Sequence, residues 1–166
     1  NVEQRDSNAS GHMLNNRSVV TRLTCGAHRM LFAADVEQDS LSRMARASSH
    51  GPIEVLKVPH HGAVSSLNHD WVASLHPRYA VFSAGRHNRY GHPAAAVLDA
   101  YRSEGSTVLR TDHDGGVWFT GAVSDPTLHV HRTRELLSQA TNSSSCLWTC
   151  EQANWARVWK RWRDPN

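Results

Sequence analysis

The chain is poor in cysteine and lysine, and it lacks any long apolar run. Three cysteines among 166 residues do not make a disulfide framework. No stretch approaches the length of a membrane span, and no charged-then-apolar signal segment opens the chain. These absences exclude a disulfide-stapled scaffold, and the length is that of a single domain with a core of its own.

Arginine and histidine are what the chain has in quantity. Lys57 and Lys160 are the only lysines among 18 basic residues, and the net charge is +3 with histidine neutral. An arginine-rich balance of this kind suits contact with phosphate groups. Twelve histidines are more than chance packing explains, so a metal site becomes a hypothesis to test against the motifs.

Short strand-like segments alternate with helical ones along the middle of the chain. A turn at residues 25–27 joins the first two strands into a hairpin, and a glycine-rich turn joins the last two. Asp39 is read as a helix N-cap, and Pro93 as the first residue of a later helix. The alternation predicts a layered α/β fold. The predicted strands are 18–24, 28–34, 55–58, 79–83, 107–110 and 117–120, and the predicted helices are 39–47, 67–75 and 93–104.

The segment VLKVPHHGAVSS, at residues 55–66, is the centre of the pattern. Its apolar start reads as a buried strand, which Pro59 ends because proline cannot donate to a ladder. His60 and His61 follow directly, and Gly62 lets the backbone turn. In α/β proteins the carboxyl ends of strands hold ligands and metals, so the pair is a candidate site. Two solvated histidines at a strand end are the alternative.

Polar residues that could bind metal or phosphate follow the other predicted strands too. Asp35 closes one apolar strand, and it is either a rigidly held carboxylate or an ordinary helix N-cap. His92 precedes Pro93, where it could cap a helix or face an anion near the helix N-terminus. The strand at 107–110 runs into Thr111-Asp112. Each position alone is a weak signal, and their joint occurrence at successive strand ends is the stronger one.

In this order the segments resemble the metallo-β-lactamase fold, and more narrowly the hydrolase domain at the carboxyl terminus of the ComEC/Rec2 competence proteins, which import DNA. That family's pattern is an apolar strand ending in TGD, then LKVxHHGS, then SxGxxNxYGHP, then a threonine-aspartate-glycine turn. The likeness covers about residues 15–121. The matching segments here are NRSVV (16–20), FAAD (32–35), LKVPHHG (56–62), SAGRHNRYGHP (83–93) and RTDHDGG (110–116).

The chain departs from that family in three ways. The first metal motif of the family, HxHxDH, is absent; the strings TDHDGG at 111–116 and HVH at 129–131 do not replace it. Ala33-Ala34 stands where the family has Thr-Gly, and Ala63 replaces a common serine. The resemblance therefore implies the C-terminal half of a metallo-β-lactamase-like αββα sandwich.

The resemblance implies a two-metal phosphodiester hydrolase that uses zinc or manganese. Asp35 would bridge the metals, and one of His60 and His61 would ligate the second metal, with His60 favoured because it follows the strand directly. His92 would support the ligands or contact the phosphate. The implied catalytic residues are Asp35, His60 and His92, the implied metal ligands are Asp35, His60 and His61, and the implied substrate-binding residues are Arg86, Asn88, Arg89 and His92.

The substrate implied by the resemblance is DNA, degraded during uptake. The chain would then be a domain of a bacterial inner-membrane protein, on its periplasmic face and next to a membrane-embedded channel; otherwise it would be cytoplasmic. Two alternatives stay open, a stand-alone phosphoesterase of the same fold and a degenerate domain that binds nucleic acid or a partner without catalysis. The missing HxHxDH motif leaves the question of enzyme activity open, and the sequence does not determine the metal or the oligomeric state.

The ends of the chain differ in composition from its middle. Residues 1–14 read as a disordered or loop lead-in, 15–140 as the partial domain, and 141–166 as a linker and an amphipathic helix. A short strand at 128–131 and a helix precede the linker. Four tryptophans fall on one face of the last helix, beside arginines. We expect Trp155, Trp159 and Trp162 to pack on the domain; a membrane-surface helix or a DNA-stacking platform is the alternative.

Overall fold

A computed structural model of the chain describes residues 11–47 and 51–136. Within them, strands and helices alternate as the sequence predicts, and most bounds agree to within three residues. The strands are β1 (Thr21–Cys25), β2 (His28–Phe32), β3 (Val55–Lys57), β4 (Tyr79–Phe82), β5 (Thr107–Arg110), β6 (Val117–Thr120) and β7 (His129–Arg132); the helices are α1 (Gln38–Arg46), α2 (His69–Leu75), α3 (Ala95–Ser103) and the single turn α4 (Thr111–Asp114), with 3-10 turns at Pro59–Gly62 and Val64–Ser66.

The central sheet has five strands in the order β1-β2-β3-β4-β5. Strands β2 to β5 are parallel, and β1 pairs with β2 as the antiparallel hairpin that the sequence predicts. Because the parallel strands point the same way, the loops that follow them emerge at one edge of the sheet. The predicted α/β class is confirmed; the αββα sandwich of the metallo-β-lactamase fold stays a prediction.

One face of the sheet packs against the helices. Leu31, Leu56 and Ala80 are register partners on neighbouring strands, and all three are buried under Trp71 of α2 and Tyr101 of α3. Fully burying a large apolar side chain stabilises the fold by roughly 1.5–3 kcal/mol. This core fixes the strand ends against the helices, and with them the loops at the carboxyl edge.

The opposite face is covered by the β6–β7 hairpin, which is a separate two-stranded sheet. The sequence predicts a hairpin between the strands at 107–110 and 117–120, and this is wrong, because β5 pairs only with β4 among the described residues. The helical turn α4 and Gly115 at φ +76° redirect the chain between them. Phe119 of β6 then packs on Tyr79, with ring centroids 5.4 Å apart. Burial of the apolar face of the sheet thus decides the pairing.

All three predicted helix starts are displaced by one or two residues; α2 begins at His69 and not at residue 67. The N-cap of α1 is Glu37, and Asp39 lies in the first turn. Helix α3 begins at Ala95 with Ala94 as its N-cap, because buried Pro93 belongs to the preceding loop and lies against Gly62. The Ala94 N–H donates to the Gly62 carbonyl at 3.0 Å, so the start of α3 is attached to the His60-His61 loop.

Several predictions fall on residues that the structure does not describe. The linker, the tryptophan helix and most of the lead-in are among them. The packing of Trp155, Trp159 and Trp162 on the domain therefore stays a prediction. Residues 11–15, within and next to the predicted lead-in, are helical. No helix in residues 11–47 and 51–136 is long and apolar enough to cross a membrane.

Candidate functional site

The loops after β2, β3 and β4 meet at the carboxyl edge of the sheet. They carry Asp35, the His60–His61 pair and His92, and the structure brings all four side chains together. The His60 N–H donates to the Ala34 carbonyl at 2.9 Å, which joins the first two loops. The third loop is joined to them through the bond between Ala94 and Gly62. The side chains that the sequence places at successive strand ends therefore share one edge.

The backbone at this edge is left-handed at four positions. Ala34 has φ +47°, His60 +46° and His61 +57°, and Gly62 follows at +83°. Residues with a Cβ rarely adopt this conformation, which costs of order 1–3 kcal/mol and is found mostly at functional sites. Two consecutive histidines in this conformation therefore support a functional site at this edge.

His61 is held between a carbonyl and a carboxylate. Its Nδ1 lies 2.6 Å from the Ser83 carbonyl oxygen, which can only accept, so the ring proton is at Nδ1. Its Nε2 lies 3.6 Å from Oδ1 of Asp35. In the neutral ring Nε2 is then an acceptor that faces another acceptor, and a proton or a metal cation between the two would be stabilised.

His60 is held by a different carboxylate, which the sequence reasoning missed. Its Nδ1 lies 3.1 Å from Oε1 of Glu37 and 3.3 Å from the Ser65 hydroxyl. The His60 ring is 6.0 Å from that of His92 between centroids. A glutamate two residues after Asp35, just before a predicted helix, looks like an ordinary acid at a helix N-terminus, so no signal in the sequence singles it out.

Glu37 is buried, with 4% of its surface exposed. Besides its ion-pair contact with His60, it takes hydrogen bonds from Asn15 at 3.0 Å, from the Ser65 hydroxyl at 3.2 Å and from His12. Burial acts to raise the pKa of the Glu37 carboxyl, but the bonds from Asn15 and His12 outweigh it and hold that pKa below its ordinary value. The carboxylate is thus kept ionised by its surroundings.

His92 lies on the other side of the His60 ring. Burial lowers the pKa of His92, and the charges of His60 and His61 lower it further. Tyr90 stacks on His92 with the ring planes 17° apart and the centroids 5.8 Å apart. This arrangement favours a neutral imidazole at His92, covered on one face by an exposed tyrosine. Tyr90 is a second residue that the sequence reasoning did not single out.

The other three residues predicted to bind substrate differ in what they do. The Asn88 side-chain amide donates to the Gly85 and His92 carbonyls and its oxygen accepts from the His92 N–H, so Asn88 closes its own loop. Arg89 donates to the Tyr90 hydroxyl at 2.9 Å and lies over that ring. Arg86 is exposed. The two arginines remain open to a phosphate group, whereas the hydrogen-bonding groups of Asn88 are already engaged.

The threonine-aspartate turn after β5 has a structural role. The Thr111 hydroxyl accepts from the Ala84 N–H and donates to the Ala84 carbonyl, both at 2.9 Å. Asp112 pairs with Arg110 at 2.6 Å, and this hydrogen bond lowers the pKa of the Asp112 carboxyl. These contacts hold the loop that carries Ser83, the residue that fixes His61.

Two open clefts lie side by side at this edge. The first, of about 560 Å³, is lined by His12, Glu37, His60 and Ser65. The second, of about 470 Å³, is lined by His61, Ser83 and Asn88. Tyr90 and His92 line both clefts and stand between them. A ligand that extends across this edge would contact Tyr90 and His92 in the middle.

The described residues supply only part of a metal site. Asp35 and His61 are two suitable donors, but nowhere in residues 11–47 and 51–136 do three or more His, Cys, Asp or Glu side chains form a group that could hold a metal ion. The half-buried Lys57 is close enough to Asp35 to interact with it; burial lowers the pKa of Lys57 and the carboxylate raises it. A two-metal centre does not fit these residues alone.

Comparisons with known proteins give a consistent set of relatives. The chain is 32% identical to ComE operon protein 3 of Bacillus subtilis over 105 residues, which are 63% of this chain and 14% of that protein. It is 31% identical to competence protein ComA of Neisseria gonorrhoeae over 122 residues, 71% of this chain and 18% of that protein. It is 30% identical to recombination protein 2 of Haemophilus influenzae over 103 residues, 62% of this chain and 13% of that protein.

The chain thus spans less than a fifth of the length of these curated relatives. No family model matches the chain, and no solved structure matches it. The likeness is therefore to one segment of competence and recombination proteins, and it covers most of this chain.

Proposed function

We propose that this chain is a segment of a ComEC/Rec2-like competence protein and carries the second half of a metal-dependent phosphodiester hydrolase domain that acts on DNA during uptake. The observation that carries the proposal is the meeting of Asp35, His61 and His92 at one sheet edge, in a chain similar to competence proteins. The left-handed backbone of His60 and His61 also supports a site at that edge.

In this proposal Asp35 and His61 are the metal-ligating part of the half-site. The remaining ligands would come from a segment that carries the HxHxDH motif, since the described residues do not form a group of three donors. A bound zinc or manganese ion would supply an activated water. The residues of this chain do the rest of the work: Ser83 holds the His61 ring in place, and His92 contacts the phosphate as a neutral imidazole.

Arg86 and Arg89 are proposed to neutralise the phosphate backbone of the substrate. Both lie in the exposed loop before His92, and the guanidinium geometry of arginine suits phosphate oxygens. DNA is the substrate class that the relatives' competence and recombination names suggest. By the same likeness, a membrane-embedded channel in the parent protein would be the partner of this domain, on the periplasmic face of a bacterial inner membrane.

A second function, DNA binding without catalysis, is favoured by one observation. The structure shows two donors close together where a metal centre needs more, and His60 is engaged with Glu37. A degenerate site of this kind would keep Arg86, Arg89 and the imidazoles as phosphate contacts. It would bind DNA in a salt-dependent manner and leave the strand intact.

Cleavage of linear DNA in Mn²⁺ or Zn²⁺ separates the two functions. The assay compares this chain with the same chain joined to a segment that carries the HxHxDH motif, each with and without Asp35→Ala. The hydrolase proposal expects poor cleavage by the chain alone and clear cleavage by the extended protein, abolished by Asp35→Ala. Binding without cleavage in the extended protein would replace hydrolysis with the second function.

A further inference from the structure

We infer that Glu37 is a positioning residue, which holds His60 with its proton on Nδ1 so that the Nε2 lone pair faces the cleft beside His92. The inference deepens the proposed function, on which it rests, because it names the group that prepares His60 to contact the substrate or a metal. It starts from the contacts of a buried carboxylate that no motif marks.

The direction of each hydrogen bond around His60 follows from its partners. The Ser65 hydroxyl lies 3.2 Å from Oε1 of Glu37, and an ionised carboxylate only accepts, so the hydroxyl proton is used there. The same hydroxyl oxygen can then only accept from Nδ1 of His60, 3.3 Å away. Oε1 of Glu37, which is also an acceptor, lies 3.1 Å from Nδ1 as an ion-pair contact. Both neighbours of Nδ1 are therefore acceptors, and the ring proton belongs on Nδ1.

The other ring nitrogen of His60, Nε2, is available to a ligand in the first cleft. Within the described part of the chain, no hydrogen bond to Nε2 of His60 accompanies the one between Nδ1 and the Ser65 hydroxyl. The ring lines the first cleft together with His92 and Tyr90. A neutral imidazole with its proton fixed on Nδ1 presents a lone pair at Nε2, the form that accepts a proton or ligates a metal.

In both adjacent histidines the neighbouring groups favour a proton on Nδ1, but the groups are different ones. Asp35 faces His61 and Glu37 faces His60, so two acids two residues apart serve two consecutive imidazoles. His61 takes its orientation from the Ser83 carbonyl through Nδ1, and Asp35 lies at its Nε2. Glu37 instead lies beside Nδ1 of His60. The roles of the two carboxylates therefore differ: Glu37 lies at Nδ1 of its histidine, and Asp35 lies at Nε2 of its own.

The buried position of Glu37 and its hydrogen bonds hold its carboxylate in one orientation. Its backbone N–H donates to the Asn16 side-chain oxygen at 3.1 Å, and its two carboxylate oxygens are shared among Asn15, His12, Ser65 and His60. A carboxylate with this many donors cannot rotate freely, so the ring that it contacts is restrained as well. Removing such a partner typically costs 10–100-fold in metal affinity or activity.

Imidazole nitrogen NMR on the metal-free chain tests the inference without requiring catalysis. With ¹⁵N-labelled histidine at a pH where the rings are neutral, we expect the protonated signal of His60 at Nδ1. In Glu37→Gln this preference should weaken, since the amide can turn its NH₂ toward Nδ1. In Ser65→Ala it should persist. The signal of His61 is the internal control, because its Ser83 partner is unchanged and its tautomer should stay the same in every variant.

A proton on Nε2 of His60 in the unaltered chain would overturn the inference, whether or not Glu37→Gln folds. So would a His60 tautomer that stays the same in a folded Glu37→Gln chain. In the extended protein that carries HxHxDH, we expect Glu37→Gln to lower cleavage roughly 10- to 100-fold. If the tautomer follows Glu37 but no extended protein cleaves DNA, the positioning role stands and the hydrolase proposal fails.

Discussion

Oδ1 of Asp35 lies 3.6 Å from Nε2 of His61 at the carboxyl edge of the sheet. Because Nδ1 of His61 donates to the Ser83 carbonyl, the neutral ring turns a lone pair toward a carboxylate. Two acceptors in this position attract a cation, and the pair is the best-formed part of the proposed metal site.

We predict that Asp35→Asn weakens Mn²⁺ binding by at least about tenfold, since it removes the only negative charge of the pair. Titration of the chain followed by manganese electron paramagnetic resonance measures the free ion. Asp70→Asn is the matched control, because it removes the same charge from an exposed position in the first turn of α2. Equal loss of affinity in the two variants would show that Asp35 acts only through the overall charge.

An ion pair between the buried His28 and the partly buried Glu54 makes stability depend on pH. Nδ1 of His28 lies 2.6 Å from Glu54, and Nε2 lies 3.3 Å from the Ala122 carbonyl in the loop between β6 and β7. The hydrogen bond to Glu54 raises the pKa of His28 against the opposing effect of burial. A raised folded-state pKa stabilises the fold below the unfolded value, about 6.5, and this stabilisation is lost as the pH rises through the folded-state pKa.

We therefore predict that the melting temperature of His28→Gln lies further below that of the unaltered chain at pH 6 than at pH 9. Thermal melting at several pH values measures the difference. Glu54→Gln should flatten the same dependence, because it removes the partner that raises the pKa of His28. A difference that stays constant, or grows, as the pH rises would contradict this assignment.

Gly62 is required twice over, by its conformation and by its neighbours. It has φ +83°, and a Cβ there would lie 2.7 Å from the Phe82 ring and 2.8 Å from Pro93. We predict that Gly62→Ala lowers the free energy of unfolding by roughly 2–4 kcal/mol, the cost of a left-handed backbone plus a steric clash. Urea unfolding followed by circular dichroism measures the change.

Gly105→Ala separates the two costs. Gly105 has φ +81°, but a Cβ there would meet nothing within 4 Å. This variant should lose only the conformational part, roughly 1–2 kcal/mol. If both glycines proved equally costly to replace, the contact of Gly62 with Phe82 and Pro93 would not constrain the loop.

Ala34 occupies a left-handed position, φ +47°, where the resembled family has glycine. We predict that Ala34→Gly raises the free energy of unfolding by about 0.5–1 kcal/mol, because relief of the left-handed strain exceeds the extra entropy of glycine in the unfolded chain. The same urea unfolding measures it. The neighbouring Ala33→Gly should destabilise, since Ala33 is fully buried and its methyl group packs in the core.

The sequence by itself determined the parts of this protein that depend on local pattern. Apolar segments gave the strands, and Pro59 and Gly62 marked the end of β3 and the turn after it. Because parallel strands end at a common edge, the order of Asp35, His60–His61 and His92 was enough to expect them together. The structure places them so, with Asp35 beside His61 and the His60 ring near both His61 and His92. Their roles in binding metal or DNA stay predictions.

Only the tertiary structure decided which partners those side chains take. Glu37 reaches His60 across 23 positions of sequence, Ser83 reaches His61, and Tyr90 covers His92. The pairing of β6 with β7 instead of β5 was likewise set by the apolar face that needed cover. Such contacts join loops that no local periodicity relates, because their energy comes from burial and hydrogen bonding between distant segments. A sequence pattern can therefore indicate where a site lies, and the packing of distant segments decides how each imidazole is held there.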